Sequence, residues 1–486
     1  LISQNVANAS TPGYAVEIGN QQALTAAGVG LGVETTPATL QIDQALQTSL
    51  TQQNAVVSNN QTTQTALQAI DGVLGAPGAG TDIGSLLGNL QDGFSTLLTD
   101  PGSQSQQNAV VSAATTFTNG VNSLSAAYTA QRQAAQNDLG SAVNTLNSTL
   151  TTIGQLSNQI IALKPTNQST ADLENQRNEA VQTLSSLINV KTVAQPDGDL
   201  TVFTASGLTL PTRSNSGPFS TASASTPPGS YYPGGGIPGV MLGGQDVTGQ
   251  LVGGQIGADV TLRDTTLPTG QAELDEFAGG VANRFAAQGL SLFTDGSGNV
   301  PTGGGSPVQA GYVGFSAVMQ VNPAVTANPA LVRDGTNATT GSSTGAASFT
   351  PNPSDGPAGF TTLISNIVSY TFGTQAQSGV TQPSLNTDGL GPSGTLTAPF
   401  SGSGTLSDFA TNLVSSQAQQ SAAVTSNLTT EQALQTSLTT KVTAVSGVNM
   451  DSEMSLMLSL QNAYGANAKV ISAAQTMFTS ILQAVQ

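Results

Sequence analysis

Apolar residues recur at helical spacing along much of the chain and at strand spacing in little of it. From Leu40 to Leu74, and again from Ser103 to Leu163, a background of Gln, Asn, Ala, Ser and Thr carries apolar residues every three or four positions, which predicts helices. In the second stretch Val110, Ala114, Phe117, Val121, Leu124 and Tyr128 step by four and three, and Leu139, Val143, Leu146, Leu150 and Ile153 resume the pattern. A helix of that extent is about 90 Å long and needs other long helices beside it. Pro101-Gly102 precedes it and Lys164-Pro165 stops it. A shorter amphipathic helix is predicted from Ala171 to Ile188, with Leu173, Ala180, Leu184 and Leu187 on one side.

The period then changes to two. Val190, Thr192 and Ala194, and Leu200, Val202 and Thr204, flank Pro196-Asp197-Gly198-Asp199 and predict a β-hairpin. Gly and Pro dominate from Pro211 to Gly257, which predicts loop and short strand. Helical spacing returns over Thr269–Leu290 through Leu274, Phe277, Val281 and Phe285, and over Phe360–Tyr370. Between them, residues 291–357 read as an outer β-rich or loosely ordered insertion, with a strand-like run from Tyr312 to Val321.

From Leu406 the pattern is helical almost to the end, with a break at Ser446-Gly447-Val448-Asn449. Beyond it Met454, Met457, Gln461, Tyr464, Ala468, Ile471, Gln475, Phe478, Leu482 and Val485 alternate steps of three and four, a heptad seam. A seam of this kind must lie against something, and the segment Leu1–Ala9 is its expected partner. The fold class expected is therefore mainly α with β-rich insertions: paired terminal helices in a coiled coil, a long-helix bundle domain and an outer β/loop domain. The divisions fall at 1–35 plus 446–486, 36–290 plus 358–445, and 291–357.

Composition narrows the chemistry. The 486 residues hold 10 Lys and Arg against 27 Asp and Glu, a net charge of −17, yet only 8% of residues are charged. No basic residue precedes Arg132 and the ten never form a run, which argues against nucleic acid and anionic membranes as partners. No apolar run approaches the length of a membrane span. Histidine, cysteine and tryptophan are absent, which removes Ser-His-Asp triads, cysteine nucleophiles, and zinc sites built on His or Cys. Gly341-Ser342-Ser343-Thr344-Gly345 fits a nucleophile elbow but lacks the base it requires. Asp295, Ser297 and Asn299 imitate a calcium loop, with Val300 where Gly belongs and Ser306 where the bidentate Glu belongs. Glu273, Asp275 and Glu276 read as acids favoured at a helix start, as do Asp451 and Glu453, and Arg177 reads as an ion-pair partner of Asp172, Glu174 and Glu179. No catalytic, cofactor-binding or metal-ligating residue is assigned.

Thr11-Pro12-Gly13-Tyr14 predicts a type II turn, with Pro presetting the first central residue and Gly supplying the positive φ of the second. Preceded by Gln4-Asn5-Val6-Ala7-Asn8-Ala9-Ser10, it resembles the N-terminal signature of the bacterial flagellar axial proteins: rod, hook and hook-associated subunits. Ser446-Gly447-Val448-Asn449-Met450-Asp451-Ser452-Glu453, then Gln461-Asn462-Ala463-Tyr464 and Ala466-Asn467-Ala468-Lys469-Val470-Ile471, resembles the paired C-terminal signature. Leu173-Glu174-Asn175-Gln176-Arg177-Asn178-Glu179 and Gly254-Gln255-Ile256-Gly257-Ala258-Asp259-Val260-Thr261-Leu262-Arg263-Asp264 are similar to the hook–filament junction subunits among them. Hook and distal-rod members, the nearest alternative, place mainly β domains between the terminal helices; a secreted adhesin-like surface protein is the alternative of another class.

The resemblance implies a non-enzymatic adaptor, exported by the flagellar type III system and located at the hook–filament junction. Its implied partners are its own copies in a ring, hook subunits, a second junction protein or flagellin, and an export chaperone. The residues it implies for motif and subunit packing are Asn5, Asn8, Thr11, Pro12, Gly13, Tyr14, Gly447, Val448, Asn449, Met454, Met457, Gln461, Tyr464, Asn467, Ala468, Ile471, Phe478 and Leu482. Where such proteins carry a polar or basic stretch after Gly-Tyr, this chain has Ala15-Val16-Glu17, and it is expected to lack one to two dozen residues of their leading helix.

Overall fold

The computed structural model describes residues 1–11, 13–26, 29–75, 78, 80–213 and 217–484. A short helix α1 (Ile2–Asn8) is followed by an antiparallel hairpin of β1 (Glu17–Ala26) and β2 (Val29–Leu40), in register from Glu17↔Leu40 to Ala26↔Val29 with two irregularities. This corrects the expectation that 1–35 is helical: only its first turns are. Val29, Val33, Thr35, Thr36 and Thr39 give β2 the branched side chains that favour extended backbone, and no helical stripe runs through them.

The long helices follow. Asp43 starts α2 (Gln44–Leu74) by accepting from the N–H groups of Ala45 and Leu46, and Asp82 starts α3 (Ile83–Leu97) by accepting from Ser85 N. The sequence reading assigned no element to α3, although Ile83, Leu87, Leu90, Phe94 and Leu97 step four and three and are all buried. Then comes α4 (Gln104–Leu163), 60 residues in one run as its spacing predicts. After α5 (Ala171–Leu187) the hairpin forms as expected: β3 (Val190–Ala194) pairs with β4 (Leu200–Thr204) from Val190↔Thr204 to Ala194↔Leu200, and β5 (Thr209–Leu210) adds to it.

The Gly- and Pro-rich stretch makes a small sheet of β6 (Phe219–Ser220), β7 (Met241–Leu242) and β8 (Gln245–Asp246). Helix α6 (Gly254–Thr261) runs through a π turn at Leu262–Thr266 into α7 (Leu267–Ala287), so this helical segment begins well before the predicted Thr269. Residues 291–357 hold the two-residue strands β9 (Phe293–Thr294) and β10 (Gln320–Val321), and three short helices, α8 (Phe315–Val318), α9 (Pro323–Ala327) and α10 (Leu331–Asp334). The run Tyr312–Val321 is thus mostly turn and helix instead of strand. Its apolar residues bury Phe315 and Met319 on one side, which a helical turn allows and alternation does not. After α11 (Thr362–Asn366) and the pair β11 (Gln375–Gln377) and β12 (Val380–Thr381), α12 (Leu406–Ser446) and α13 (Met450–Ala484) complete the chain, separated where the break was predicted. Long helices dominate, unlike the mainly β arrangement expected of a hook or distal-rod subunit.

Two large apolar cores share α4. The first joins α3, the leading half of α4 from Val110 to Ala135, α7, the ends of α2 and α12 (Ala66–Leu74 and Leu406–Val414), and Phe293, Phe315, Met319, Val325, Val332 and Phe349. Segment 291–357 therefore contributes to the same core as the bundle helices. The second joins the trailing half of α4 from Leu139 to Ile153 with α5, β3, β4 and the stretch from Phe219 to Ile256.

Candidate subunit interface at the terminal junction

The N-terminal motif folds back on itself. Asn8 Nδ2 donates to Gln4 O (3.1 Å), Thr11 Oγ1 to Asn8 Oδ1 (3.3 Å) and Tyr14 N to Thr11 O (3.2 Å), which closes the turn. Gly13 has φ +82°, so the position needs glycine for its conformation, while a Cβ there would displace only the flexible side-chain amide of Gln182. Pro12 lies outside the described residues.

The turn brings Tyr14 over Asn5, which is 1% exposed and acts as a hub. Asn5 Nδ2 donates to Glu17 O (3.0 Å) and to Glu453 Oε1 (3.2 Å), while its Oδ1 accepts from Glu17 N and the Tyr14 hydroxyl, each at 3.1 Å. The Tyr14 hydroxyl also lies 3.3 Å from Glu17 Oε1. From α5, Asn175 clasps the backbone of Ala15, accepting from its N–H (2.9 Å) and donating to its carbonyl (3.0 Å), as a neighbouring strand would. Val16 N donates to Ser446 O (2.7 Å). Burial pushes the Glu17 carboxyl up, against hydrogen bonds from Tyr14 and Asn175 that favour its charge. Burial first, and the Glu17 carboxylate second, hold the Tyr14 phenol well above its ordinary range.

On the C-terminal side Gly447 caps α12 through its N–H on Thr443 O (2.9 Å), and a Cβ would collide with that carbonyl. Val448 is half-buried in the break, and Asn449 caps α13 by accepting from Asp451 N and Ser452 N, each at 3.1 Å. The termini thus meet, but only at the first turns of α13. Of its described side chains only Glu453 is buried, and one carboxylate oxygen there has no partner. Met457 is half-buried. Gln461, Asn467 and Ala468 are exposed, and exposure of the large seam residues Met454, Tyr464, Ile471, Phe478 and Leu482 runs from 46% at Met454 to 79% at Tyr464. Val485 lies outside the described residues.

Asn175 and Glu453 lie in segments that carry the family resemblance, but nothing in local spacing joins them to Asn5 or Glu17. The remaining candidates serve the fold. Glu273, Asp275 and Glu276 lie inside α7, all nearly fully buried, instead of in its first turn. Asp275 accepts from Gly314 N (2.7 Å), Ser316 N (3.0 Å) and Gln271 Nε2 (3.1 Å), and burial holds it at about 6. Glu276 accepts from Asn386 N (2.8 Å) and its side-chain amide (2.9 Å). Arg177 donates to Gly198 O (2.7 Å) and Ser157 Oγ (3.3 Å), fixing the hairpin turn instead of pairing with the expected acids. Asp295 closes an exposed turn by accepting from Ser297 N and Asn299 N, each at 2.8 Å, and Ser342 lies in an exposed loop. Among the described residues, no group of three or more His, Cys, Asp or Glu could hold a metal ion, and no helix is long and apolar enough to cross a membrane.

Residues 67–300, from the last turns of α2 through β9, match the flagellar hook-associated protein FlgK helical domain, and residues 442–484, spanning the break and α13, match the flagellar basal body rod FlgEFG protein C-terminal region. Together the two matches cover more than half of the chain. The chain belongs to the FlgK family of flagellar hook-associated proteins. Among solved structures it is similar to the flagellar hook junction protein FlgK from Burkholderia pseudomallei, 26% identical over 52% of this chain with a TM-score of 0.43. The match spans 45% of that FlgK chain, less than half its length. No curated protein matches the chain.

Proposed function

We propose that the chain is a structural adaptor at the hook–filament junction of the bacterial flagellum, without catalytic activity, which assembles through its terminal segments. The observation that carries this is α13: a 35-residue helix with a heptad seam left open to solvent, tied to the N-terminal motif through Asn5 and Glu453. A seam of exposed Met, Tyr, Ile, Phe and Leu is costly in water, and association with neighbours removes that cost. α1 and α13 form the inner layer, the long helices the second, and segment 291–357 faces outward.

The partners are copies of the chain laterally, hook subunits on one side, and a second junction protein or flagellin on the other. Export through the flagellar type III apparatus suits a chain without disulfides, and before assembly the open seam offers a chaperone an apolar groove partner. Deleting Ser446–Gln486 in the source bacterium tests the reading. Hooks without filaments, with flagellin lost to the medium, are expected; normal filaments would overturn it.

A further inference from the structure

Where α7 and α12 leave the leading core, a polar cleft opens between them. The two helices pack through Phe277 on Phe409, and the side chains that α12 gives to that core end at Val414. Just beyond it, Ser416, Gln417 and Gln420 of α12 stand across a space of about 550 Å³ from Thr265 and Thr269 of the π turn and α7. Glu273 lines the same space. Residues 265, 269 and 273 are four apart, so they share one helical face. Glu273 is 6% exposed, and among the described residues no hydrogen bond reaches its carboxyl. Its neighbours Asp275 and Glu276 differ: Gly314, Ser316 and Asn386 donate to them.

A buried acid without a partner is costly, and the cleft around this one offers acceptors but no cation. No Lys or Arg lines it. The titratable groups around Glu273 on the packed helices are Tyr128 of α4 and Asp71 of α2, the latter accepting from Gln417 Nε2 at 3.4 Å, while α12 has none between Ser416 and Ala423. Burial first, then Glu273 and Asp71, hold the Tyr128 phenol well above its ordinary range. We propose that the cleft between α7 and α12 is a binding site for an organic cation, the ammonium or guanidinium group of a free amine or of a basic side chain, which pairs with the Glu273 carboxylate. Its remaining N–H groups would donate to the hydroxyls of Thr265, Thr269 and Ser416 and to the carbonyl oxygen of Gln420. The chemistry of the lining excludes the other classes. Anions would meet two carboxylates; a quaternary ammonium needs aromatic faces, and no aromatic side chain lines the cleft. A bare calcium ion needs six to eight oxygens at contact distance, which a space this wide with one carboxylate does not gather. Binding is coupled to a proton, because burial holds Glu273 at about 8 and the cation pairs only with its charged form.

Agmatine, which carries one ammonium and one guanidinium group, is the probe. Titrated calorimetrically into the full chain, it is expected to bind at pH 8 with release of roughly half a proton, and about fiftyfold more weakly at pH 6, where only about one Glu273 in a hundred is charged. Glu273→Gln should weaken binding at pH 8 at least tenfold and Thr269→Val severalfold, whereas Glu179→Gln on the surface of α5 should leave it unchanged. Thermal melting shows that each variant is folded; should Glu273→Gln not fold, Thr269→Val and the pH dependence still decide. No binding by the folded parent, equal affinity at pH 6 and 8, equal binding of tetramethylammonium, or full binding by the folded variants would each overturn the proposal. Native mass spectrometry of the chain purified from its own cells separates the two sources: a small-amine adduct lost in Glu273→Gln identifies a free amine, and a bare chain that takes up added agmatine identifies a basic side chain of another protein.

Discussion

Asn5 joins three parts of the chain with one amide, and its contacts are separated in sequence by up to 448 positions. No local pattern reveals such a group; the motif it belongs to was recognisable, but its distant partners Glu17 and Glu453 were visible only as neighbours in other motifs. Replacing Asn5 with Ala leaves the Glu17 backbone, the Tyr14 hydroxyl and the buried Glu453 carboxylate without their shared partner. It should cost about 1–3 kcal/mol locally, read as faster amide exchange at residues 14–17 and 446–453 with little change in α7. Two other buried acids govern behaviour with pH. Burial first holds Asp259 at about 8, with Asp138 adding to it, and burial alone holds Glu273 at about 8. Both bind a proton more tightly when folded. Their contribution is fully present below the unfolded carboxylate range and is lost as pH rises through about 8. The Asp259→Asn, Glu273→Gln double variant should therefore melt higher than the parent at pH 9 and show a flatter Tm profile between pH 5 and 9.

Helices that bury a stripe announced themselves by period, which is why α2, α4, α5 and α12 were legible. α3 was passed over because its Gly, Ser and Asp content resembles the loops beside it, although its buried residues keep helical steps. The β1–β2 hairpin was missed because it buries little, so no strong alternation marks it. The α2–α12 pair shows what polar composition does at this scale. Apart from Leu50, Ala55 and Leu428, the buried apolar side chains described on these helices begin at Ala66 on α2 and end at Val414 on α12. Outside those limits the helices are joined by amides: Gln53 Nε2 to Glu431 Oε2 (2.6 Å), Gln64 Nε2 to Thr425 Oγ1 (3.1 Å) and Gln435 Nε2 to Asn54 Oδ1 (2.9 Å). Hydrogen bonds of this kind contribute only about 1 kcal/mol each. Amides of 421–446 should exchange faster than those of 406–414 in the same helix, and Gln53→Leu with Gln435→Leu should slow them.

Across the whole molecule the leading core is organised around Phe277, whose ring lies 6.0 Å from Phe117 and 6.1 Å from Phe409, joining α7 to α4 and α12. Phe277→Ala should destabilise the protein by about 3–5 kcal/mol, measured by denaturant unfolding. The mainly helical class and the order of long elements were readable from spacing alone. That residues 291–357 insert seven apolar side chains into that core was not, because those residues are scattered among Gly, Ser and Pro without a period.

The 60 residues of α4 pass through both cores without a loop between them. Mechanically the helix is a single spar: a push or twist on the second core reaches the first through one unbroken column of backbone hydrogen bonds. For the junction subunit proposed above, such a member means that strain received at one end is carried along the chain instead of being absorbed at a hinge.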